Sequence, residues 1–323
     1  TSLLVAWAGA PVGKAYALLI QGGFGSRFAL TETFTRATPL ILTGLCAAVA
    51  FRARLYNIGA EGQLYGGALA AVAVGGWVAQ STAPPALLMA TMFGAAMLAG
   101  AALLLLPAWL KSGFGVDEVV TTLLLNFIVL LFVSAMLDGP MKDPSAMGWP
   151  QSIALGDALQ LDKLVPRSRV HTGLLIALGL ALLLWALLAR TTLGFEIRAV
   201  GANARAAAFA GMPVARTTLL VALISGALAG LAGAVEVAGR TGYLTLDMSP
   251  GYGSSGIVIA MLAGLHPLDV VAAAVFVAGI LVGADSMSRA VGVPTYIADV
   301  IVAVALLSAL VATLLSTYRL RWK

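Results

Sequence analysis

Leu193-Gly-Phe-Glu-Ile-Arg-Ala-Val-Gly-Ala-Asn-Ala-Arg-Ala-Ala-Ala-Phe-Ala-Gly-Met-Pro213 is a polar island, punctuated for helix ends, in a chain that is otherwise almost continuous apolar helix. Asn203 is a good N-cap, Gly211 stands where a helix closes in a left-handed residue, and Pro213 forbids continuation. Residues 204–210 are therefore predicted as a two-turn helix. A rod of that size is about 10 Å long and too short to hold its shape alone in water. Its surface is mostly alanine with Arg205 and Phe209 projecting, which suits a groove in another protein. A capped surface loop is the alternative.

Working outward from the island, composition sets the solvent. Hydrophobic residues make up 60% of the 323 and charged residues 10%, far from the usual soluble balance. The fold class expected is an all-α polytopic membrane protein. A helix needs about 20 apolar residues to cross roughly 30 Å of hydrocarbon. Residues 86–110, 119–137, 172–190, 217–238, 268–287 and 296–316 meet that length. Three apolar pieces are short, 39–51, 62–79 and 254–265, which is the mark of broken helices. The run 3–12 is read as the clipped remainder of a first helix, for about ten membrane segments in one transmembrane domain, 1–323. The pairs Gly62/Gly66 and Gly226/Gly230 have helix-packing spacing.

Orientation rests on basic residues near helix ends. With the C-terminus in the cytoplasm, Arg52, Arg54, Lys111, Arg190, Arg198, Arg205, Arg216, Arg319, Arg321 and Lys323 fall inside. Lys14, Arg27, Arg36, Lys142, Lys163, Arg167, Arg169, Arg240 and Arg289 fall outside, so the charge rule alone discriminates weakly. This arrangement makes the 193–213 island cytoplasmic and 138–171 the longest external loop.

Several chemistries are excluded. One cysteine, Cys46, and two scattered histidines, His171 and His266, give no metal site and no intramolecular disulfide. The net charge of +5 is spread over short loops, so there is no nucleic-acid footprint. Gly251-Tyr-Gly-Ser-Ser-Gly256 fits a dinucleotide fingerprint but follows no strand, and Gly9-Ala-Pro-Val-Gly-Lys14 is one residue too short for a phosphate loop. No catalytic constellation emerges, so a non-catalytic protein without cofactor is expected.

Depth singles out the remaining polar residues, since ionisable groups in mid-membrane are costly. Glu236 and Asp285 fall near outer helix ends. Glu61, in Asn57-Ile-Gly-Ala-Glu-Gly-Gln63, is the one candidate for a buried carboxylate. Either this motif is a cytoplasmic loop whose Glu61 pairs with Arg52 or Arg54, or it begins inside the membrane as a Gly-broken turn carrying Asn57, Glu61 and Gln63. Asn126 lies roughly 11 Å into its span, as an interhelical hydrogen bond or a pathway contact.

The runs Ala37-Thr-Pro-Leu-Ile-Leu-Thr-Gly44, Phe51-Arg-Ala-Arg-Leu-Tyr-Asn-Ile-Gly-Ala-Glu-Gly-Gln63 and Asp117-Glu-Val-Val-Thr-Thr-Leu-Leu-Leu-Asn126, with the 194–211 island, resemble permease subunits of bacterial ABC importers of the branched-chain amino acid and simple-sugar group. Within it the chain is most similar to nucleoside-type permeases. The resemblance implies an ATP-driven importer in the inner (plasma) membrane, with the island as the region coupled to a separate cytoplasmic ATP-binding subunit. It implies also a second permease subunit, often non-identical, and an external substrate-binding protein. Glu196, Arg198, Asn203, Arg205 and Phe209 are then expected in ATPase coupling, and Asn57, Glu61, Gln63 and Asn126 along the translocation pathway. Branched-chain amino acids or simple sugars are the alternative cargo, and an ion-gradient-driven secondary transporter the competing class.

Overall fold

The computed structural model describes residues 11–78 and 81–292, with positions 300, 302–304, 307–308 and 311–312 beyond them. In chain order its helices are α1 (Val12–Phe24), α2 (Arg27–Arg52), α3 (Ala60–Val78), α4 (Pro85–Phe114), α5 (Glu118–Asp138), α6 (Gly173–Arg190), α7 (Thr192–Ala202), α8 (Ala204–Phe209), α9 (Val214–Glu236, prolonged by a π turn Val237–Thr241), α10 (Tyr252–Leu262) and α11 (Pro267–Val291). Among the described residues β pairing is limited to isolated bridges in and around the loop before α6.

Among the described residues six helices are long and apolar enough to cross a bilayer: α2, α4, α5, α6, α9 with its π turn, and α11. The expected count of about ten is not reached among the described residues. Helix α3 is long enough but more polar, and α1 and α10 have 13 and 11 residues. The run 3–12 and the span expected at 296–316 lie largely outside the described residues.

The sharpest correction concerns α2, expected as a short piece over 39–51 and found to run 26 residues. Its first half looks polar in sequence, yet the threonines spend their hydroxyls on backbone carbonyls: Thr35 Oγ1 donates to Thr31 at 2.8 Å, Thr38 to Phe34 at 3.0 Å, and Thr33 to Gly23 of α1 at 2.8 Å. Ser26 caps the start, accepting from Ala29 N–H at 3.0 Å. Pro39 lacks the donor that would have reached Thr35, and the helix continues through it because packing fixes both sides.

Burial sorts the helices into a centre and a rim. In their most apolar windows α2 and α9 are 83% and 72% buried, against 17% for α5 and 28% for α6, so the first two form the core and the last two turn leucine and phenylalanine faces outward. Where α4 crosses α9, glycines bring the backbones into contact. A Cβ on Gly230 would lie 2.1 Å from the Ala96 carbonyl oxygen, and one on Gly100 2.2 Å from that of Gly226. No larger residue fits, and close approach supplies the van der Waals contact that holds membrane helices together.

The loop between α5 and α6 folds over one end of the bundle. Leu161 N–H donates to the Ala238 carbonyl at 2.8 Å, Leu155 to Gly242 at 2.7 Å and Ser152 to Leu244 at 3.0 Å, tying the loop to the end of α9. Buried Leu155 and Leu159 close the hollow above Gly75.

Candidate functional site: a re-entrant polar turn and a capped helix

Beyond Arg52 the chain does not leave the bundle. Arg54 takes a left-handed conformation (φ 56°), and the extended stretch from Leu55 turns back inward. Asn57 comes to rest wholly buried beside Cys46 and Ser225, at Nδ2 distances of 3.5 and 3.2 Å. Cys46 lies six residues before the end of α2, hence about 9 Å inside it. Of the two readings open in the sequence, the structure takes the one in which the motif starts inside the bundle.

At that depth Asn57 and Gln63 pair through their amides: Asn57 Nδ2 donates to Gln63 Oε1 at 2.9 Å, and Gln63 Nε2 returns to Asn57 Oδ1 at 2.8 Å. Asn57 Oδ1 also accepts from Gly59 N–H at 3.1 Å. The pair is self-satisfied and locks the turn. Asn126, half-buried on α5, accepts from the Gly62 N–H through Oδ1, so α5 is stitched to the first turn of α3.

Glu61 pairs with neither arginine. Its Oε2 accepts from the Gly253 N–H at 2.5 Å, at the N-terminal end of α10, and Ser249 supplies a side-chain hydrogen bond. A carboxylate is favoured where a helix start leaves N–H groups unpaired. Gly253 admits this contact, since a Cβ there would lie 2.3 Å from Glu61 N. Around it Thr43 Oγ1 donates to the Tyr252 carbonyl at 2.9 Å, and Tyr65 hydroxyl donates to the Leu246 carbonyl while accepting from Ser249 N–H at 3.3 Å. Two interrupted elements, α3 and α10, thus meet start to start within the bundle. Asn57, Glu61, Gln63 and Asn126 lie together here, held by intramolecular bonds.

The sequence reading missed Thr43, Tyr65, Ser225 and Gly253 in this network, because uncharged residues in apolar runs carry no signal until the partner helix is known. It also missed an ionic cluster at the end of the bundle away from α8. Arg36 pairs with Asp285 at 2.5 Å, Glu236 with Arg240 at 2.6 Å, and Glu32 with Arg169 at 3.9 Å, around a 570 Å³ cavity between α1, α2, α11 and the loop before α6. Glu236, expected at the outer interface, is wholly buried there and lies beneath it. The signal available was Asp285, a lone carboxylate near the end of an otherwise apolar run.

At the opposite end, α8 is built as its sequence requires. Asn203 Oδ1 accepts from Arg205 and Ala206 N–H at 3.0 and 3.1 Å. Met212 N–H reaches the Ala207 carbonyl and Gly211 N–H that of Ala208, both at 3.0 Å, with Gly211 at φ 81°. This double closure is the Schellman motif. The helix ends at Phe209, one residue earlier than expected, with Ala210 as its C-cap. Only Ala207 is buried; Arg205 is exposed and Phe209 is 97% exposed.

Preceding it, α7 is a helix the sequence reading did not separate from the island. Thr191 caps it, accepting from Gly194 N–H at 3.1 Å. Glu196 accepts from Thr217 Oγ1 at 3.0 Å and Arg198 donates to the Leu188 carbonyl, so both bind α7 to its neighbours. Gly201 lies against the Arg52 carbonyl, where a Cβ would come within 1.8 Å. The capped helix is thus braced, through α7, on the end of α2 next to the re-entrant turn.

The family described as branched-chain amino acid transport system / permease component matches residues 29–310 of this chain. A glucose ABC transporter permease protein of Haloferax volcanii is 39% identical, covering 94% of this chain and 82% of that protein. A guanosine ABC transporter permease protein of Bacillus subtilis is 36% identical, over 95% of this chain and 88% of its own length. A nucleoside ABC transporter permease protein of Lactococcus lactis is 32% identical, over 89% and 80%. No solved structure matches the chain.

Proposed function

We propose, since this chain belongs to the branched-chain amino acid transport system permease family, that it is the membrane-spanning subunit of an ATP-driven nucleoside importer in the plasma membrane. ATP hydrolysis would reside on a separate subunit docked at α8, with a second permease and an external binding protein completing the assembly. The observation that carries the reading is α8 itself. A six-residue helix fully capped at both ends, with Phe209 97% exposed and one alanine buried, gains little from its own protein. An aromatic and a cation on a rigid small-residue rod are what a groove in another subunit would grip.

Coupling then has a physical route. A push on α8 passes to α7, and α7 is fastened to α9 by Glu196–Thr217, to α6 by Arg198–Leu188 and to α2 by the Gly201–Arg52 contact. The end of α2 leads directly into the turn holding Asn57. Binding energy at the ATPase would shift the balance of bundle states through these contacts.

Nucleoside cargo is supported by the guanosine and nucleoside permeases among the relatives, and by a re-entrant turn whose groups are mostly neutral amides and hydroxyls. The 39% identity to a glucose permease supports a second reading, a simple sugar. Both cargoes present hydroxyl groups on an uncharged ring. The deciding experiment is uptake into proteoliposomes containing this chain with its co-encoded ATPase, permease and binding protein, comparing guanosine, uridine and glucose. ATP-dependent nucleoside uptake is expected. Uptake by this chain alone under a proton or sodium gradient would overturn the importer reading, and ATP-dependent uptake of glucose only would replace nucleoside by sugar.

A further inference from the structure

We infer that the hollow between the end of α2, α7 and the end of α10 is a binding site for the phosphate of an anionic membrane phospholipid. It measures 410 Å³ and is lined by Arg52, Arg54 and Arg198 together with Tyr56, Met261 and Leu265. At the cavity on the opposite end Arg36, Arg169 and Arg240 are each matched by a carboxylate, while Arg167 and Arg289 beside them have no such partner among the described residues. Here none of the three arginines has a carboxylate partner among the described residues. Arg198 spends a donor on the Leu188 carbonyl, and Arg52 feels Arg198 as a like charge. Glu118, which contacts the Tyr56 backbone, is taken up by Lys111 and by the Tyr56 N–H at 3.2 Å. Three guanidinium groups thus line one hollow without a carboxylate to balance them, Arg52 half-buried and Arg54 and Arg198 exposed, and an anion seated among them would be held by charge-assisted hydrogen bonds.

Position and wall chemistry select the anion. Arg52 is the last residue of a membrane helix and Leu265 lies just before the next one, so the hollow opens at the level where a bilayer's phosphates lie. Tyr56, 44% exposed, stacks edge-on against Phe51 at 5.3 Å, as an interfacial aromatic does. Met261, also 44% exposed, and Leu265 supply an apolar wall for the start of an acyl chain. Guanidinium groups match phosphate geometry with paired donors. A soluble anion would use the arginines and leave the apolar wall wet; a phospholipid uses both.

The test is phosphatidylglycerol retention by the chain purified in neutral detergent with the subunits that accompany it, read by native mass spectrometry and by the shift in thermal unfolding. Bound phosphatidylglycerol should fall about fivefold for each arginine removed in Arg54→Gln and in Arg52→Gln/Arg54→Gln. Arg52→Lys should recover part of it. Arg54 is exposed, so the single variant leaves the fold intact and keeps the reading testable if the double variant unfolds. Equal retention by wild type and Arg54→Gln would overturn the site. Stabilisation by inorganic phosphate as large as by phosphatidylglycerol would overturn the lipid in favour of a free anion. Unchanged lipid binding with lost ATPase co-purification would assign the arginines to an acidic surface of that partner instead.

Discussion

Asn57 spends its side chain entirely inside the protein, on Gln63, Ser225 and the Gly59 N–H. Asn57→Leu would leave the Gln63 amide unpaired in a buried place and should cost about 1–3 kcal/mol. Adding Gln63→Leu should return part of that loss, because removing both partners of a buried pair leaves no orphan. Chemical or thermal unfolding of the two variants in detergent checks the order; a double variant less stable than the single one would contradict the pairing. His171, outside the membrane segments and wholly buried, gives a pH effect. Its Nδ1 accepts from Gly173 N–H at 3.2 Å, its Nε2 has no partner, and burial pushes its pKa down to about 4. An unfolded imidazole titrates near 6.5, so on acidification the unfolded state takes the proton first. The stability owed to neutral His171 is complete above about pH 6.5 and drains away down to about pH 4, on the order of 3 kcal/mol in all. Melting curves across that window should flatten in His171→Asn, whose side-chain oxygen can still accept from Gly173.

Among the elements, α8 was legible almost to the residue because its signals are local: an N-cap, a left-handed glycine and a proline, each acting within one turn. The start of α2 was not legible. Thr31, Glu32, Thr33, Thr35 and Arg36 read as a polar break, and only the tertiary partners Asp285 and Arg169, with hydroxyls turned onto the backbone, let them lie in a helix. The re-entrant turn was half legible: the short apolar pieces implied a break, while its depth depended on Cys46 and Ser225, which no local pattern links. Helix α8 also carries the prediction that belongs to this scale. Arg205→Glu with Phe209→Ala removes the two projecting side chains and touches no buried one, so thermal stability should stay within about 0.5 kcal/mol of wild type while ATPase co-purification falls. Undiminished co-purification would remove α8 from the docking surface. Asn203→Ala should weaken coupling by a different route, fraying the helix by about 1 kcal/mol.

For the whole molecule, the arginine–carboxylate pairs gather at one end of the bundle. Around α8 Arg52, Arg54, Arg198 and Arg205 have no carboxylate partner among the described residues, while at the other end Arg36, Arg169 and Arg240 are paired with acids beside Arg167 and Arg289, which have none. The proposed function requires the α8 end to face the cytoplasm, where an ATPase could reach it, and cysteine labelling tests that orientation. The chain's one cysteine, Cys46, is wholly buried, so wild type should not react with a membrane-impermeant maleimide and needs no cysteine removed as background. Met147 in the loop before α6 is fully exposed, and Ala208 on α8 is exposed at the opposite end. In intact cells Met147→Cys should label at once and Ala208→Cys only after the membrane is permeabilised. The reverse pattern would turn the bundle over, putting α8 beyond reach of any nucleotide-hydrolysing subunit and removing the physical basis for ATP-driven transport, whatever the cargo.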